Sequence, residues 1–316
     1  MSFNLRQLGS KWLGLLPVIL PLTLCFILSI PLFGWVIDDA GISFVYARNM
    51  ASGHGLVSQP GLEPVEGFSN PLWIFLIAPF FMAGVFHPYI VPKVLSLLLV
   101  GITLFFVRKT IQKLTGSRHL IPLIIMIFIV TNASFVIWTC SGLENSLFNA
   151  LIAALLHLII KNESATALSV RQCVVLGIVA GAIALSRPDG IVYSILFPLA
   201  IFLGSFPLSR KRLMDFSKPL AFYTFAFLLV FGSYFLFRVW YFGVIFPNTY
   251  YAKGGPTLAS LVGALTLQQP YLSKLQEILS SIFGSKLWIV IAILTISWIV
   301  SYFVQKRNFW KEVVLA

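Results

Sequence analysis

The sequence predicts an all-α integral membrane protein, a polytopic helical bundle with about eight membrane-spanning helices. Hydrophobic residues make up 59% of the chain and charged residues only 10%, whereas soluble domains carry about 25% charged residues. The mean hydropathy is +0.94, and the apolar residues are collected into long runs that are separated by short polar segments. These observations exclude a soluble globular fold.

Nine apolar runs follow one another along the chain, and a membrane-spanning helix needs ~20 such residues. They lie at about residues 12–36, 71–87, 88–107, 119–139, 145–160, 172–186, 190–207, 219–242 and 286–304. The run at 71–87 is short and is interrupted by Pro71, Pro79 and Gly84. It is predicted as a re-entrant or juxtamembrane segment that is buried in protein, which leaves eight spans. The first run is longer than a signal-peptide core and is predicted as a retained signal anchor.

Lysine and arginine residues occur in four clusters between the apolar runs, which predicts that these loops are cytoplasmic. The clusters lie around residues 108–118, 161–171, 210–218 and 306–311. Because 71–87 is predicted not to cross, the acidic motifs all fall on the opposite, outer face of the membrane. Two long outer loops result, at 37–71 and 241–285, within a single predicted domain of residues 1–316.

The formal net charge of +12 arises from these basic loops and does not point to nucleic acid. No basic stretch is interleaved with aromatic residues that could stack on bases. The partner that the composition does predict is the lipid bilayer.

The first outer loop, residues 37–71, contains four of the ten acidic residues of the chain. Two of them, Asp38 and Asp39, are adjacent, and such a pair is costly to keep ionised next to a hydrocarbon layer. One alternative is that Asp39 caps a helix over residues 40–50, but a cap needs only one carboxylate. The pair therefore predicts catalysis, with one aspartate as a general base and the other orienting it or helping to hold a divalent cation.

The aspartate pair opens a longer stretch that resembles a known family. From Trp35 to Pro71 the sequence reads WVIDDAGISFVYARNMASGHGLVSQPGLEPVEGFSNP. Shorter motifs follow it: Ser-Gly-Leu-Glu at 141–144, Ser-Arg-Pro-Asp-Gly at 186–190 and Phe-Pro-Asn-Thr-Tyr-Tyr-Ala-Lys at 246–253. Together they resemble the bacterial membrane glycosyltransferases of the GT-C fold, in particular the mycobacterial terminal arabinofuranosyltransferases and related polyprenyl-phosphate-sugar-dependent enzymes.

The resemblance covers the chain to about residue 255. It implies the transfer of a sugar from a polyprenyl-phosphate donor to a hydroxyl of a glycan or glycolipid acceptor, with an aspartate of the first outer loop as the base. It also implies a multi-pass enzyme of the bacterial plasma membrane whose active site is extracytoplasmic. The substrate-binding residues would be Arg48, His54, Glu66, Asn70, Glu144, Arg187, Asp189, Asn248, Tyr250 and Lys253. Since such enzymes usually have more spans and often an extracytoplasmic C-terminal domain, the C-terminal part of that architecture is expected to be missing here.

Simpler explanations stay open for several of these residues. Arg48, Arg187 and Lys253 could reach the interface with their charged ends or pair with a neighbouring acid. Pro188 and Gly190 could serve only to stop a helix.

Other classes of membrane protein also fit the composition. A secondary transporter would place its ionisable residues near the bilayer midplane, whereas the acids here are predicted at one face. A non-catalytic envelope-assembly protein would keep the spans but would not need Asp38 and Asp39. An O-antigen-ligase-like enzyme, which uses a lipid pyrophosphate donor, is the nearer alternative.

Overall fold

A computed structural model describes residues 16–161, 168–204 and 210–252, together with the short pieces 272–274 and 276–277. Throughout these residues the regular secondary structure is helical and no β-strand is present. The predicted all-α class is therefore confirmed.

By its internal contacts the chain divides into two units, Met1–Lys253 and Gly254–Ala316. Within the described part of the first unit there are twelve α-helices. They are α1 (Leu16–Ser29), α2 (Asp38–Ala51), α3 (Pro71–Met82), α4 (Val91–Thr115), α5 (Leu120–Val130), α6 (Ala133–Cys140), α7 (Asn145–Lys161), α8 (Val170–Ser186), α9 (Leu196–Gly204), α10 (Arg210–Phe227), α11 (Ser233–Phe242) and α12 (Asn248–Ala252). Short 3-10 segments lie at Ile30–Leu32 and Pro188–Ile195, and a π-helical turn lies at Leu228–Gly232.

Among the described residues, two helical segments are long and apolar enough to cross a membrane. They are α4, with 25 residues, and the 27-residue segment Phe216–Phe242, which runs from α10 through the π-helical turn into α11. The helices α5 and α6 are bent by 64° where they meet, as in one broken span or a re-entrant loop. The described residues therefore support two or three of the eight predicted spans, and the run at 286–304 lies outside them.

The other apolar helices are too short to count as spans by length. The helix α7 has 17 residues, and at 1.5 Å per residue it extends about 26 Å. A bilayer has a hydrocarbon core of ~30 Å. The remaining predicted spans stay predictions for this reason.

The apolar run at 71–87 forms α3, a helix of 12 residues. Pro71 stands at its first position, where a missing N–H leaves no hydrogen bond unmade, and Gly84 follows its end with a φ of 68°. Twelve residues extend about 18 Å, too little to cross a bilayer. This length agrees with the prediction that the segment does not span the membrane. Its re-entrant or juxtamembrane position stays a prediction.

The helix α3 also forms the core beneath the polar residues described below. Trp73, Ile74 and Ile77 are completely buried and share one apolar cluster with Tyr46 of α2 and with residues of α7, α8 and α11. The indole Nε1 of Trp73 donates a hydrogen bond to the carbonyl oxygen of Gly142 at 3.1 Å. The helix α3 therefore fixes α2 and the turn between α6 and α7 relative to each other.

The helices α8 and α10 pack with their backbones in close contact. Gly177 and Gly181 lie four residues apart on α8, a spacing of small residues that lets two helices approach closely. A Cβ atom on Gly177 would overlap the carbonyl oxygen of Tyr223 in α10, and one on Gly181 would lie 2.8 Å from the Cβ of Val230. This contact holds α8, whose C-terminal end leads into Arg187, against the long helix that continues into α11.

Candidate active site

Asp38 and Asp39 form the first turn of α2, and both are exposed. The helix begins at Asp38 with Ile37 as its N-cap and has no side-chain capping hydrogen bond. The alternative in which Asp39 caps the helix is therefore wrong. Two carboxylates in a first turn interact favourably with the helix dipole. Among the described residues neither carboxylate has a hydrogen-bond or ion-pair partner, so the pair is accessible to a substrate.

The start of α2 is held by the turn between α6 and α7. The backbone N–H of Ile37 donates to the carbonyl oxygen of Ser141 at 3.0 Å. Gly142 follows with a φ of 87°, and a Cβ atom there would lie 3.0 Å from the Cβ of Ala40. Only glycine combines that left-handed backbone with so little space. The residues on either side of the aspartate pair, Ile37 and Ala40, thus contact the Ser-Gly-Leu-Glu turn.

The carboxylate of Glu66 lies in the interior, with its side chain fully buried. It pairs with Nε of Arg238 at 2.6 Å and accepts a hydrogen bond from the hydroxyl of Tyr234 at 2.7 Å. Burial raises the pKa of Glu66 above its ordinary range, and the hydrogen bonds from Arg238 and Tyr234 oppose that rise. Glu66 is thus engaged within the protein, where it joins segment 37–71 to α11, and substrate binding by it stays a prediction.

Asn70 and Glu144 join α2, α3 and α7 through buried hydrogen bonds. The Nδ2 of Asn70 donates to Oε2 of Glu144 at 2.6 Å and to Oγ of Ser43 at 3.0 Å. Glu144 also accepts a hydrogen bond from Nη1 of Arg187 at 3.3 Å. Burial raises the pKa of Glu144, while the hydrogen bond from Asn70 and the charge of Arg187 oppose that rise.

Arg187 follows the C-terminal end of α8 and is shared between two carboxylates. Besides its bond to Glu144, it donates from Nε to Oδ1 of Asp189 at 3.0 Å and from Nη1 to Oδ1 of Asn145 at 3.1 Å. Gly190 makes this corner possible, because a Cβ atom there would overlap a carbonyl oxygen of α8. The Arg-Pro-Asp-Gly motif therefore ends α8, as the simpler explanation states, and also directs Arg187 towards Glu144.

Arg48 and His54 are exposed side chains, at the C-terminal end of α2 and in the loop after it. In the part of the chain that the structure describes, neither side chain has a hydrogen-bond or ion-pair partner. Asn49 lies between them and holds the loop, since its Nδ2 donates to the carbonyl oxygens of Val57 and Ser58 at 2.8 and 3.1 Å. Both basic side chains are accessible, and their binding roles stay predictions.

The Phe-Pro-Asn-Thr-Tyr-Tyr motif contacts segment 37–71 through its backbone. The N–H of Asn248 donates to the carbonyl oxygen of Glu66 at 2.9 Å, while the Asn248 side chain is exposed. The ring of Tyr250 stacks on that of Phe246, with ring centroids 4.4 Å apart. Lys253 lies outside the described residues.

A cavity of about 650 Å³ opens beside Arg187 and Asp189. It is lined by Phe128, Ile129, Asn132, Ser134, Phe135, Trp138, Thr139, Asn145, Ser146, Phe148, Asn149, Arg187 and Asp189. Its walls therefore come from the bent pair α5–α6, the first turn of α7 and the corner after α8. Neither Asp39 nor Glu66 lines it, so the motifs meet through the hydrogen-bond network and not through this cavity.

Sequence reasoning missed Tyr234, Arg238, Asn145 and Ser146. Arg238 is an isolated charge in the apolar run 219–242, and an ionisable residue in such a run is a signal for a paired or functional group. Tyr234 lies one helical turn before it, on the same face. Asn145 and Ser146 carry no comparable signal, because they resemble ordinary residues at the start of a helix.

No group of three or more His, Cys, Asp or Glu side chains within residues 16–161, 168–204 and 210–252 could hold a metal ion. Asp38 and Asp39 supply two carboxylates. A divalent cation bound by this pair therefore stays a prediction and needs further ligands from elsewhere.

Compared with known proteins, the chain matches no protein-family model and no curated protein sequence. The resemblance of the motifs is thus an expectation from sequence alone. Function has to be inferred from the residues of the site and from their geometry.

Proposed function

We propose that the protein is a membrane glycosyltransferase that moves a sugar from a polyprenyl-phosphate donor to a hydroxyl of a cell-envelope glycan or glycolipid. The reaction takes place on the extracytoplasmic face of a bacterial plasma membrane, where a lipid-linked donor presents its sugar at the interface. The observation that carries the proposal is the convergence of the motifs. One hydrogen-bonded network joins the first outer loop, Ser-Gly-Leu-Glu and Arg-Pro-Asp-Gly, and it adjoins the exposed aspartate pair.

One of the two aspartates, Asp39 ahead of Asp38, acts as the general base. It takes the proton of the acceptor hydroxyl as the oxygen attacks the anomeric carbon, and for this it must come within ~2.6–3.2 Å of that hydroxyl. The helix that carries the pair is well supported. Tyr46 of α2 is buried, and its hydroxyl donates to the carbonyl oxygen of Val65 at 2.6 Å. A carboxylate on a fixed helix start is better oriented than one on a loop.

The departing polyprenyl phosphate needs positive charge near it. Arg187 is shared by the carboxylates of Glu144 and Asp189, so its charge is largely compensated and its first role is to hold these groups in place. Two other cations are candidates for the phosphate. Arg48 is exposed and unpaired among the described residues, and Lys253 lies in the last of the motifs.

The test is turnover by the purified full chain in lipid nanodiscs, with a panel of polyprenyl-phosphate sugars and acceptor glycans and with product detection by mass spectrometry. Asp38→Asn and Asp39→Asn are compared singly with Glu63→Gln, an exposed acid of the same loop that serves as the control. Loss of the base is expected to lower the rate by ~10²–10⁴-fold, while donor binding and the control rate change little. Wild-type turnover in both aspartate variants would end the catalytic hypothesis. Unchanged turnover in the presence of a chelator would show that the reaction needs no divalent cation.

A second candidate, a secondary transporter, is favoured by the bend of 64° between α5 and α6, because broken helices line substrate sites in transporters. The aspartate pair and the charged groups of the adjoining network argue against it, since they lie at helix ends. Asp38 begins α2, Glu144 precedes α7 and Arg187 follows α8, whereas a transporter binds its substrate near the midplane. Gradient-driven sugar uptake into proteoliposomes, without turnover of any lipid-linked sugar, would favour the transporter.

A further inference from the structure

We propose that the cavity between the bent pair α5–α6 and the first turn of α7 binds a neutral sugar ring. Its volume of about 650 Å³ falls in the range of ~300–1,000 Å³ that is typical of small-molecule sites. The aspartate pair does not line it, so this binding site is separate from the proposed base. That the ring belongs to a substrate rests on the proposed glycosyltransferase function, whereas binding is measurable without turnover.

The charges at the polar end of the cavity favour an uncharged ligand. Arg187, the one cation among the described lining residues, already binds two carboxylates, at 3.3 Å from Glu144 and 3.0 Å from Asp189. A phosphate in this position would face the exposed carboxylate of Asp189 and a guanidinium that is already neutralised. A ring hydroxyl can instead donate to a carboxylate and accept from a guanidinium at the same time.

Two polar groups of the cavity wall have no hydrogen-bond partner among the described residues: the Oγ of Ser146 and the Nδ2 of Asn145. Ser146 is only 2% exposed, and Asn145 already uses its Oδ1 to accept from Arg187. Buried polar groups are normally hydrogen-bonded, and leaving one unpaired destabilises a protein. Both residues line the cavity, with these two atoms buried within its wall. Rotation of the Ser146 side chain would turn its unpaired hydroxyl towards a bound ligand with hydroxyl groups.

Much of the remaining lining is aromatic. Trp138, which is 43% exposed, lines the cavity together with Phe135 and Phe148. A sugar ring has a face of C–H groups that packs on an aromatic ring and an edge of hydroxyls that bonds to polar side chains. A few placed polar groups in an otherwise apolar and aromatic pocket are typical of a specific small-molecule site. Inorganic phosphate or a plain lipid chain would use only one of these two kinds of lining.

The test is saturation-transfer NMR on the full chain in lipid nanodiscs without sugar-based detergent. The probes are methyl β-D-glucopyranoside and methyl α-D-arabinofuranoside, with inorganic phosphate as the anionic probe. Ser146→Ala is expected to weaken glycoside binding about 3- to 10-fold without loss of stability, because the hydroxyl that it removes has no partner among the described residues. Ser96→Ala is the matched control, since Ser96 also has a buried Oγ without such a partner but does not line the cavity. Trp138→Leu, at an exposed position, is expected to weaken binding as well.

Saturable glycoside binding that weakens in Ser146→Ala and Trp138→Leu, but not in Ser96→Ala, supports the sugar site. No glycoside binding by the wild type, equal weakening in Ser96→Ala, or tighter binding of phosphate than of either glycoside overturns it. Competition with a polyprenyl-phosphate arabinose identifies the source: displacement assigns the ring to the donor, and retention assigns it to the acceptor. Turnover without glycoside binding counts against the sugar site alone, and glycoside binding without turnover of any donor counts against the proposed function alone.

Discussion

The substitution Tyr234→Phe tests whether the buried carboxylate of Glu66 is a charged structural anchor. It removes one hydroxyl from a buried ring and opens no larger space. That hydroxyl donates to Oε1 of Glu66 at 2.7 Å, while Nε of Arg238 donates to Oε2 at 2.6 Å. A hydrogen bond to a charged group contributes about 1.5–3 kcal/mol. We therefore expect Tyr234→Phe to lower the free energy of unfolding by about 1.5–3 kcal/mol.

A second substitution, Glu66→Gln, keeps the shape of the side chain and removes its charge. It leaves Arg238, which is only 8% exposed, without its counter-ion, and breaking one side of a buried ion pair costs about 3–5 kcal/mol. Burial raises the pKa of Glu66, so glutamine avoids part of the desolvation cost of the carboxylate. We therefore expect Glu66→Gln to lower the free energy of unfolding by the lower end of this range, about 3 kcal/mol. With a neutral acceptor the Tyr234 hydroxyl contributes only about 0.5–1.5 kcal/mol. The two substitutions should therefore show a coupling energy of about 1 kcal/mol.

The assay is equilibrium unfolding in mixed micelles of the wild type, both single variants and the double variant. Glu63→Gln, at an exposed acid three residues earlier, is the control and should stay within about 0.5 kcal/mol of the wild type. An unchanged Tyr234→Phe variant together with a coupling energy near zero would refute the reasoning, because the carboxylate would then not depend on these partners. A loss in Glu63→Gln as large as that in Glu66→Gln would show that the whole loop, and not the buried pair, is sensitive.

Two further predictions concern helix packing and topology. Gly177→Ala is expected to lower the free energy of unfolding by about 1–3 kcal/mol, because the new Cβ overlaps a carbonyl oxygen of α10. Gly101→Ala is the control, since the atom nearest to a Cβ there lies 3.4 Å away. Equal stability of the two variants would contradict the close contact. In a background without native cysteines, Ser52→Cys should react with an impermeant maleimide in intact cells and Ser117→Cys should not, because the basic loop after α4 is predicted to be cytoplasmic. The reverse labelling pattern would show that the proposed site lies on the cytoplasmic face of the membrane.

The helical class and several helices could be predicted because they depend on patterns along the chain. The helix expected over residues 40–50 is α2, Asp38–Ala51. The number of spans could not be predicted as well, since hydropathy does not show where an apolar run bends. The run 119–139 reads as continuous, but Asn132 within it accepts a hydrogen bond from the N–H of Phe135 at 3.2 Å and caps a new helix. One side chain thus divides a predicted span into α5 and α6.

The members of the site could be predicted in part, but their partners could not. The motifs mark Glu66, Glu144 and Arg187 because charges are rare in this chain. Which residues pair with each other could not be predicted. Glu66 and Arg238 are 172 positions apart, and no local pattern connects residues at that distance. The unpaired Oγ of Ser146 was equally invisible, because only the packing of α7 against its neighbours shows that it lacks a partner among the described residues.

Burial divides the acidic residues of the site into two groups with different physical roles. Glu66 and Glu144 are buried, and each has at least two partners, so replacing either removes structural support whatever the protein does. Asp38 and Asp39 are exposed, and the support visible in the described residues is their interaction with the helix dipole, about 0.3–1 kcal/mol each. A single acid in the first turn would give most of that benefit, so stability does not account for the second one. An adjacent, accessible pair on a fixed helix start is instead what a general base with an orienting partner requires. Lost turnover with intact folding in the aspartate variants, and impaired folding in the Glu66 variant, would separate the chemistry of this protein from its scaffold.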